Sequence, residues 1–127
     1  MQHVAGLDEL AEFFGAPPKV EHPDLPYEAN VITAEVDLGH HNVWLQFMPR
    51  QDWAELRVAG QPFSIVKLTL SDISHLSLRK TEEDHTLVIK FDRRQTSTLF
   101  LMLRPHVTLF WGNQGDEDDD PTLLSVV

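Results

Sequence analysis

Residues 31–58 read VITAEVDLGHHNVWLQFMPRQDWAELRV, and their period of two decides the fold. Ile32, Ala34, Val36 and Leu38 alternate with Thr33, Glu35 and Asp37. Val43, Leu45 and Phe47 follow, then Ala54, Leu56 and Val58, with turn-forming breaks between the sets. Pairing Leu38 with Val43 across Gly39-His40-His41-Asn42 sets Val36 opposite Leu45 and Ala34 opposite Phe47. Pairing Met48 with Trp53 across Pro49 to Asp52 sets Phe47 opposite Ala54 and Leu45 opposite Leu56. Both registers keep the apolar side chains on one face, and a slip of one residue turns them out to solvent. A three-stranded meander with Leu45 in its core is the expectation.

The same alternation runs on through Val66, Leu68 and Leu70, then Leu76 and Leu78, then Leu87, Ile89 and Phe91. Leu99, Leu101 and Leu103 make the next set, and Val107, Leu109 and Trp111 the last. Eight short strands with no βαβ alternation predict a mainly β (α+β) fold. It is an antiparallel sandwich or partly open barrel with one short N-terminal helix. That helix is expected over residues 7–14, where Leu7, Leu10, Ala11 and Phe14 recur at helical spacing and Asp8, Glu9 and Glu12 face away. Gly15 suits its left-handed terminus, and Pro17-Pro18 prevents continuation. Residues 16–30, with Pro17, Pro18, Pro23 and Pro26, read as a connector laid over the surface. The expected division is one domain, 1–113, and an acidic mobile tail, 114–127.

The later strands are apolar on both faces. Val88, Phe100, Met102 and Phe110 lie opposite the core set and need a cover. The N-terminal helix is one candidate; a homodimer interface through Phe100 and Phe110 is the other.

At 127 residues the chain has the length of one domain and buries roughly two-thirds of its unfolded surface, enough for a core without staples. It has no cysteine, so disulfides and thiolate metal sites are excluded. Met1-Gln2-His3-Val4 lacks the basic, then apolar, opening of a secretory signal. The longest purely apolar run, Leu99 to Leu103, is far short of the about 20 residues of a membrane helix. A cytoplasmic protein without a membrane partner is therefore expected.

The net charge of −10 is unevenly spread: residues 1–49 carry eight acids and one base, residues 50–115 seven acids and nine bases. The other five acids form one run, Asp116, Glu117, Asp118, Asp119 and Asp120. Nucleic acid is a poor partner for such a chain, because phosphate binding needs clustered Lys and Arg. Acidity favours a basic protein partner, or serves solubility alone.

Catalytic, metal and cofactor motifs do not emerge. Asp37 with His40-His41 superficially suggests a metal site, but neighbouring side chains at a strand turn point apart, whereas zinc needs converging ligands. His75, His85 and His106 show no metal-binding spacing, and no G-x-S-x-G elbow or glycine-rich phosphate loop occurs. No enzyme, cofactor or metal is expected.

The outward face of the meander is more informative. It carries Thr33, Glu35 and Asp37, then Trp44, Gln46 and Met48, then Trp53, Glu55 and Arg57. In the registers above Asp37 falls opposite Trp44, Trp44 opposite Arg57, and Met48 opposite Trp53. Exposed Trp, Met and Arg are enriched at protein interfaces, so Glu35, Asp37, Trp44, Met48, Trp53 and Arg57, with the acidic run 116–120, are the candidate partner-binding residues. Ordinary sheet chemistry is the alternative, with Trp44 stacking on Arg57 or this face forming one side of a sandwich core.

The stretch FSIVKLTLSDISHLSL from Phe63 to Leu78, the strand HTLVIKF from His85 to Phe91 and the ending LFWG from Leu109 to Gly112 resemble the small β-rich immunity proteins of bacterial polymorphic-toxin systems. The likeness is one of strand layout and apolar pattern over the C-terminal half to two-thirds of the domain. It implies a cytoplasmic, non-catalytic protein that binds a toxin domain tightly, and it carries over no individual residue. A small β barrel holding an apolar ligand and an accessory subunit of a larger assembly are the other functional expectations.

Overall fold

A computed structural model describes residues 1–60, 65–92, 98–104, 107–112 and 124–125. The described residues form eleven strands and one helix: β1 (His3–Val4), α1 (Leu7–Phe14), β2 (Lys19–Val20), β3 (Ile32–Asp37), β4 (His41–Met48), β5 (Trp53–Gly60), β6 (Ile65–Leu70), β7 (Ile73–Lys80), β8 (His85–Phe91), β9 (Thr98–Arg104), β10 (Thr108–Gly112) and β11 (Leu124–Ser125). Eight of these are the expected strands. The three others are two-residue strands, too short to leave a periodic signal. Two sheets result, one in the order β2-β3-β4-β5-β6 and one in the order β1-β7-β8-β9-β10-β11. Each keeps its own edges, so the sandwich forms and no barrel closes. All pairings are antiparallel except β1 with β7, which is parallel.

The β4–β5 hairpin has the predicted register, with Met48 opposite Trp53, Phe47 opposite Ala54 and Leu45 opposite Leu56. The β3–β4 hairpin differs by two residues. Val36 faces Val43, Ala34 faces Leu45 and Ile32 faces Phe47. Leu38 N–H donates to the His41 carbonyl (2.7 Å), so the turn is the pair Gly39-His40 rather than Gly39 to Asn42. Gly39 adopts φ 90°, and its N–H donates to the Asp37 carboxylate (2.9 Å). This tight glycine turn fixes the register.

Leu45, Phe47, Leu56 and Ile32 from the first sheet and Leu76, Leu87, Ile89, Leu99 and Leu101 from the second are fully buried in one cluster. These side chains form the layer between the two sheets.

The helix spans the predicted residues and ends at Gly15 with φ 81°. Glu9 accepts the Gly6 N–H (3.1 Å), reaching back across the first turn. Its placement corrects an expectation. It packs against β3 and β7, and Leu10, Phe13 and Phe14 join the cluster between the sheets. That cluster contains neither Val88 nor Phe100, so the helix does not serve as the cover of the outer face of β8 and β9. On that face Val88, Phe100 and Phe110 line up across three strands; the first two are buried and Phe110 is half-buried.

The proline-rich connector is anchored by two polar side chains. Tyr27 donates its hydroxyl to the Ala5 carbonyl and sets its ring edge-on to Phe47; burial, reinforced by the Glu9 carboxylate, pushes its phenol above the ordinary range. Asn30 is buried and knots the loop. Its Oδ1 accepts from His22 N–H (2.9 Å) and Val31 N–H (3.1 Å), while its Nδ2 donates to the carbonyls of His22 (2.6 Å) and Leu25 (3.2 Å). Asn30→Ala is expected to cost about 1–3 kcal/mol in thermal unfolding, because those backbone groups lose their partner in a dry site. A change below about half a kcal/mol shows that water replaces the amide.

Of the expected tail, Leu124–Ser125 pair with β10, Leu109 opposite Leu124 and Thr108 opposite Ser125. The acidic run 116–120 lies outside the described residues.

Candidate protein-binding face

The outer face of the five-stranded sheet is built by alternation: whatever is not turned into the core is turned out. Its central row runs Glu35–Trp44–Arg57–Lys67 across β3, β4, β5 and β6. Glu35 thus stands opposite Trp44, where Asp37 was expected; Asp37 faces Asn42, displaced by the two-residue shift of the hairpin. The next row runs Lys19–Thr33–Gln46–Glu55–Thr69, with Gln46 Nε2 donating to Thr33 Oγ1 (3.2 Å).

Trp44 is half-buried and does not belong to the inter-sheet core. The Arg57 guanidinium carbon sits 4.3 Å from its ring centroid, within cation–π range. Arg57 is held there by Glu55, Nη2 to Oε2 at 2.5 Å. The expected Trp44–Arg57 contact therefore exists, and its charge is tied to a neighbouring carboxylate. Glu35 and Asp37 are exposed, though the Asp37 carboxylate also braces the Gly39 turn.

Met48 and Trp53 form their own half-buried pair four residues further along β4. At about 3.4 Å per residue that places them about 13–14 Å from Trp44, so the face carries two separate aromatic points. Beside Trp44 lies a depression of about 480 Å³ lined by Pro17, Lys19, Thr33, Glu35, Trp44 and Gln46. Sequence reasoning missed Pro17 and Lys19, because β2 brings them to the face from a connector with no periodic signal. Lys67 was legible, since it is the polar residue between Val66 and Leu68.

Among the described residues the histidines do not converge into a site. His40 lies in the β3–β4 turn, the His75 ring stacks on His3 at 6.3 Å, and His85 packs on Phe13 at 5.8 Å, while His106 lies outside the described residues. Among the described residues no group of three or more His, Asp or Glu side chains is arranged to hold a metal ion. No described helix is long and apolar enough to cross a membrane.

The fold has a solved counterpart. A chain from a contact-dependent growth inhibition toxin–immunity protein complex of Klebsiella pneumoniae 342 superposes with a TM-score of 0.70, covering 87% of this chain and 96% of that one. What is shared is the fold. The two sequences are 14% identical, so no residue role passes between them. The strand layout that resembles immunity proteins is thus matched by a fold found in such a complex. No family model and no curated protein sequence matches the chain.

Proposed function

We propose that this chain is a non-catalytic binding protein, an immunity protein that neutralises a basic toxin domain in the cytoplasm. The observation that carries the reading is the central row of the outer face. Exposed acid (Glu35, with Asp37 beside it) flanks an aromatic anchor, Trp44, that is already oriented by Arg57. Acids steer a basic partner from a distance, and a pre-positioned tryptophan supplies contact area at little entropic cost. The net charge of −10 and the likeness in fold to a chain of a toxin–immunity complex support the same reading.

The test is co-expression with a toxin C-terminal domain, taken from a gene that adjoins the one for this chain. Growth is expected to be rescued and the two proteins to co-purify. Continued growth arrest with no complex at micromolar concentration overturns the proposal. Within the complex, Glu35→Gln with Asp37→Asn is expected to lower the association rate about 3–10-fold at low salt and to leave dissociation nearly unchanged. Asn at 37 can still accept the Gly39 N–H, so the turn is kept. Stopped-flow association at two ionic strengths reads the effect; an equal rate loss at high salt shows that the acids do not steer.

A further inference from the structure

At one end of the six-stranded sheet the register gathers three basic side chains into a row. Lys80 pairs with His85 across β7 and β8, and His85 pairs with Arg104 across β8 and β9. The β8–β9 register slips by one residue immediately after His85, a bulge of the kind that re-aims side chains near sites. Behind the row, between the ends of the two sheets, opens a cleft of about 310 Å³. Phe13 and Phe14 of the helix, Val36 and Leu38 of the first sheet and Leu103 of the second wall it. Phe13, Phe14 and Leu103 are buried, so the apolar wall is held by the core and needs no rearrangement to form.

The mouth carries charges of both signs. Lys80 Nζ lies 3.3 Å from the exposed Glu12 carboxylate and 3.5 Å from the Glu12 carbonyl, near the negative end of the helix. Among the described residues no ion pair involves Arg104. His85 is packed against Phe13, and its Nδ1 is shut off from solvent with no hydrogen-bond partner. Burial, with the Lys80 and Arg104 charges beside it, holds that imidazole below its ordinary pKa. Arg104, and Lys80 shared with Glu12, therefore border an apolar recess, with the Asp84 and Glu12 carboxylates opposing their effect on the ring. The volume lies at the small end of ligand-binding clefts.

We propose that this cleft binds a small amphiphilic carboxylate, its apolar body against Phe13, Phe14 and Leu103 and its carboxylate between Lys80 and Arg104. A neutral apolar ligand would leave Arg104 without a counter-charge, and a short anion would leave the wall uncovered. In the bound state Glu12, 71% exposed, gives up Lys80 to the ligand and returns to water at little cost. The site is separate from the outer face of the first sheet, and its test needs no toxin.

The experiment titrates the full chain with sodium octanoate, octanol and acetate, read by calorimetry and by the His85 ring resonances. Octanoate is expected to bind and to move the His85 signals, because a carboxylate at the mouth changes the field on the ring. Octanol is expected to bind at least about 10-fold more weakly, having lost the charge-assisted contacts, and acetate to give no signal. Lys80→Gln with Arg104→Gln removes two exposed charges and leaves the wall intact. It should weaken octanoate about 10-fold or more and leave octanol unchanged. Unmoved His85 signals, octanol binding as tightly as octanoate, or undiminished octanoate binding by the double variant each overturn the proposal.

Discussion

Leu45→Ala is expected to lower the free energy of unfolding by about 2–5 kcal/mol. Leu45 is fully buried in the middle strand of the five-stranded sheet, between Ala34 on β3 and Leu56 on β5. Its side chain points into the layer shared with Leu76, Leu87 and Leu101, so the atoms removed come from a packed interior rather than an edge. The loss has two parts, the transfer free energy of the deleted carbons and the void they leave. Ala34 beside it is already small and cannot swing in to fill that void, and Leu56 is held by its own strand, which places the cost above the bottom of the range. Urea unfolding of the two proteins measures it. A difference below about half a kcal/mol shows that the inward and outward faces of β4 are exchanged.

The meander was legible because alternation in three consecutive strands admits only one parity. It does not, however, distinguish registers that differ by two residues. Pairing Leu45 with Val36 or with Ala34 buries the same set of side chains, so alternation alone also admits a first hairpin two residues out of its true register. The deciding signal was local. Glycine at the first position of a two-residue turn, with Asp37 placed to accept its N–H, favours the tight loop over a four-residue one. The second hairpin left no such choice, since Pro49 cannot extend the β4 ladder as a donor and Asp52 takes φ 53°.

The helix shows a different limit. Its boundaries follow from spacing, Gly15 and Pro17, but an amphipathic pattern states which side is buried and not against what. The Val88–Phe100–Phe110 face needed a cover, and the helix was the nearest apolar element in the sequence. The structure places it instead against β3 and β7, where Leu10, Phe13 and Phe14 complete the inter-sheet core. The same reasoning explains the candidate face. Trp44 opposite Arg57 followed from the register that was read correctly. Its acidic neighbour depends on the other register, which alternation leaves open by two residues. Lys19 and Pro17 arrive through a two-residue strand that is decided by tertiary packing alone.

On the proposed binding role, Trp44→Ala is expected to raise the dissociation rate of the toxin complex about 30-fold or more, equivalent to about 2 kcal/mol. In the free protein the ring is half-buried and stacked under Arg57, with the guanidinium held by Glu55 at 2.5 Å. A partner therefore meets an anchor whose rotamer is already chosen, and the entropy of fixing it is not lost on binding. Truncation removes the contact area and also frees Arg57 from its platform, so both the apolar and the polar parts of the anchor weaken together. Such losses fall mainly on dissociation, because the encounter is governed by the charges of Glu35 and Asp37, which the substitution leaves in place. Since Trp44 lies outside the inter-sheet cluster, the variant should stay folded, at a cost in stability of about 1 kcal/mol from the lost cation–π contact and surface packing. Biosensor dissociation traces beside a thermal melt separate the two effects. An unchanged dissociation rate in a folded variant removes this face from the interface, and a collapsed melt assigns Trp44 to the structural support of the sheet instead.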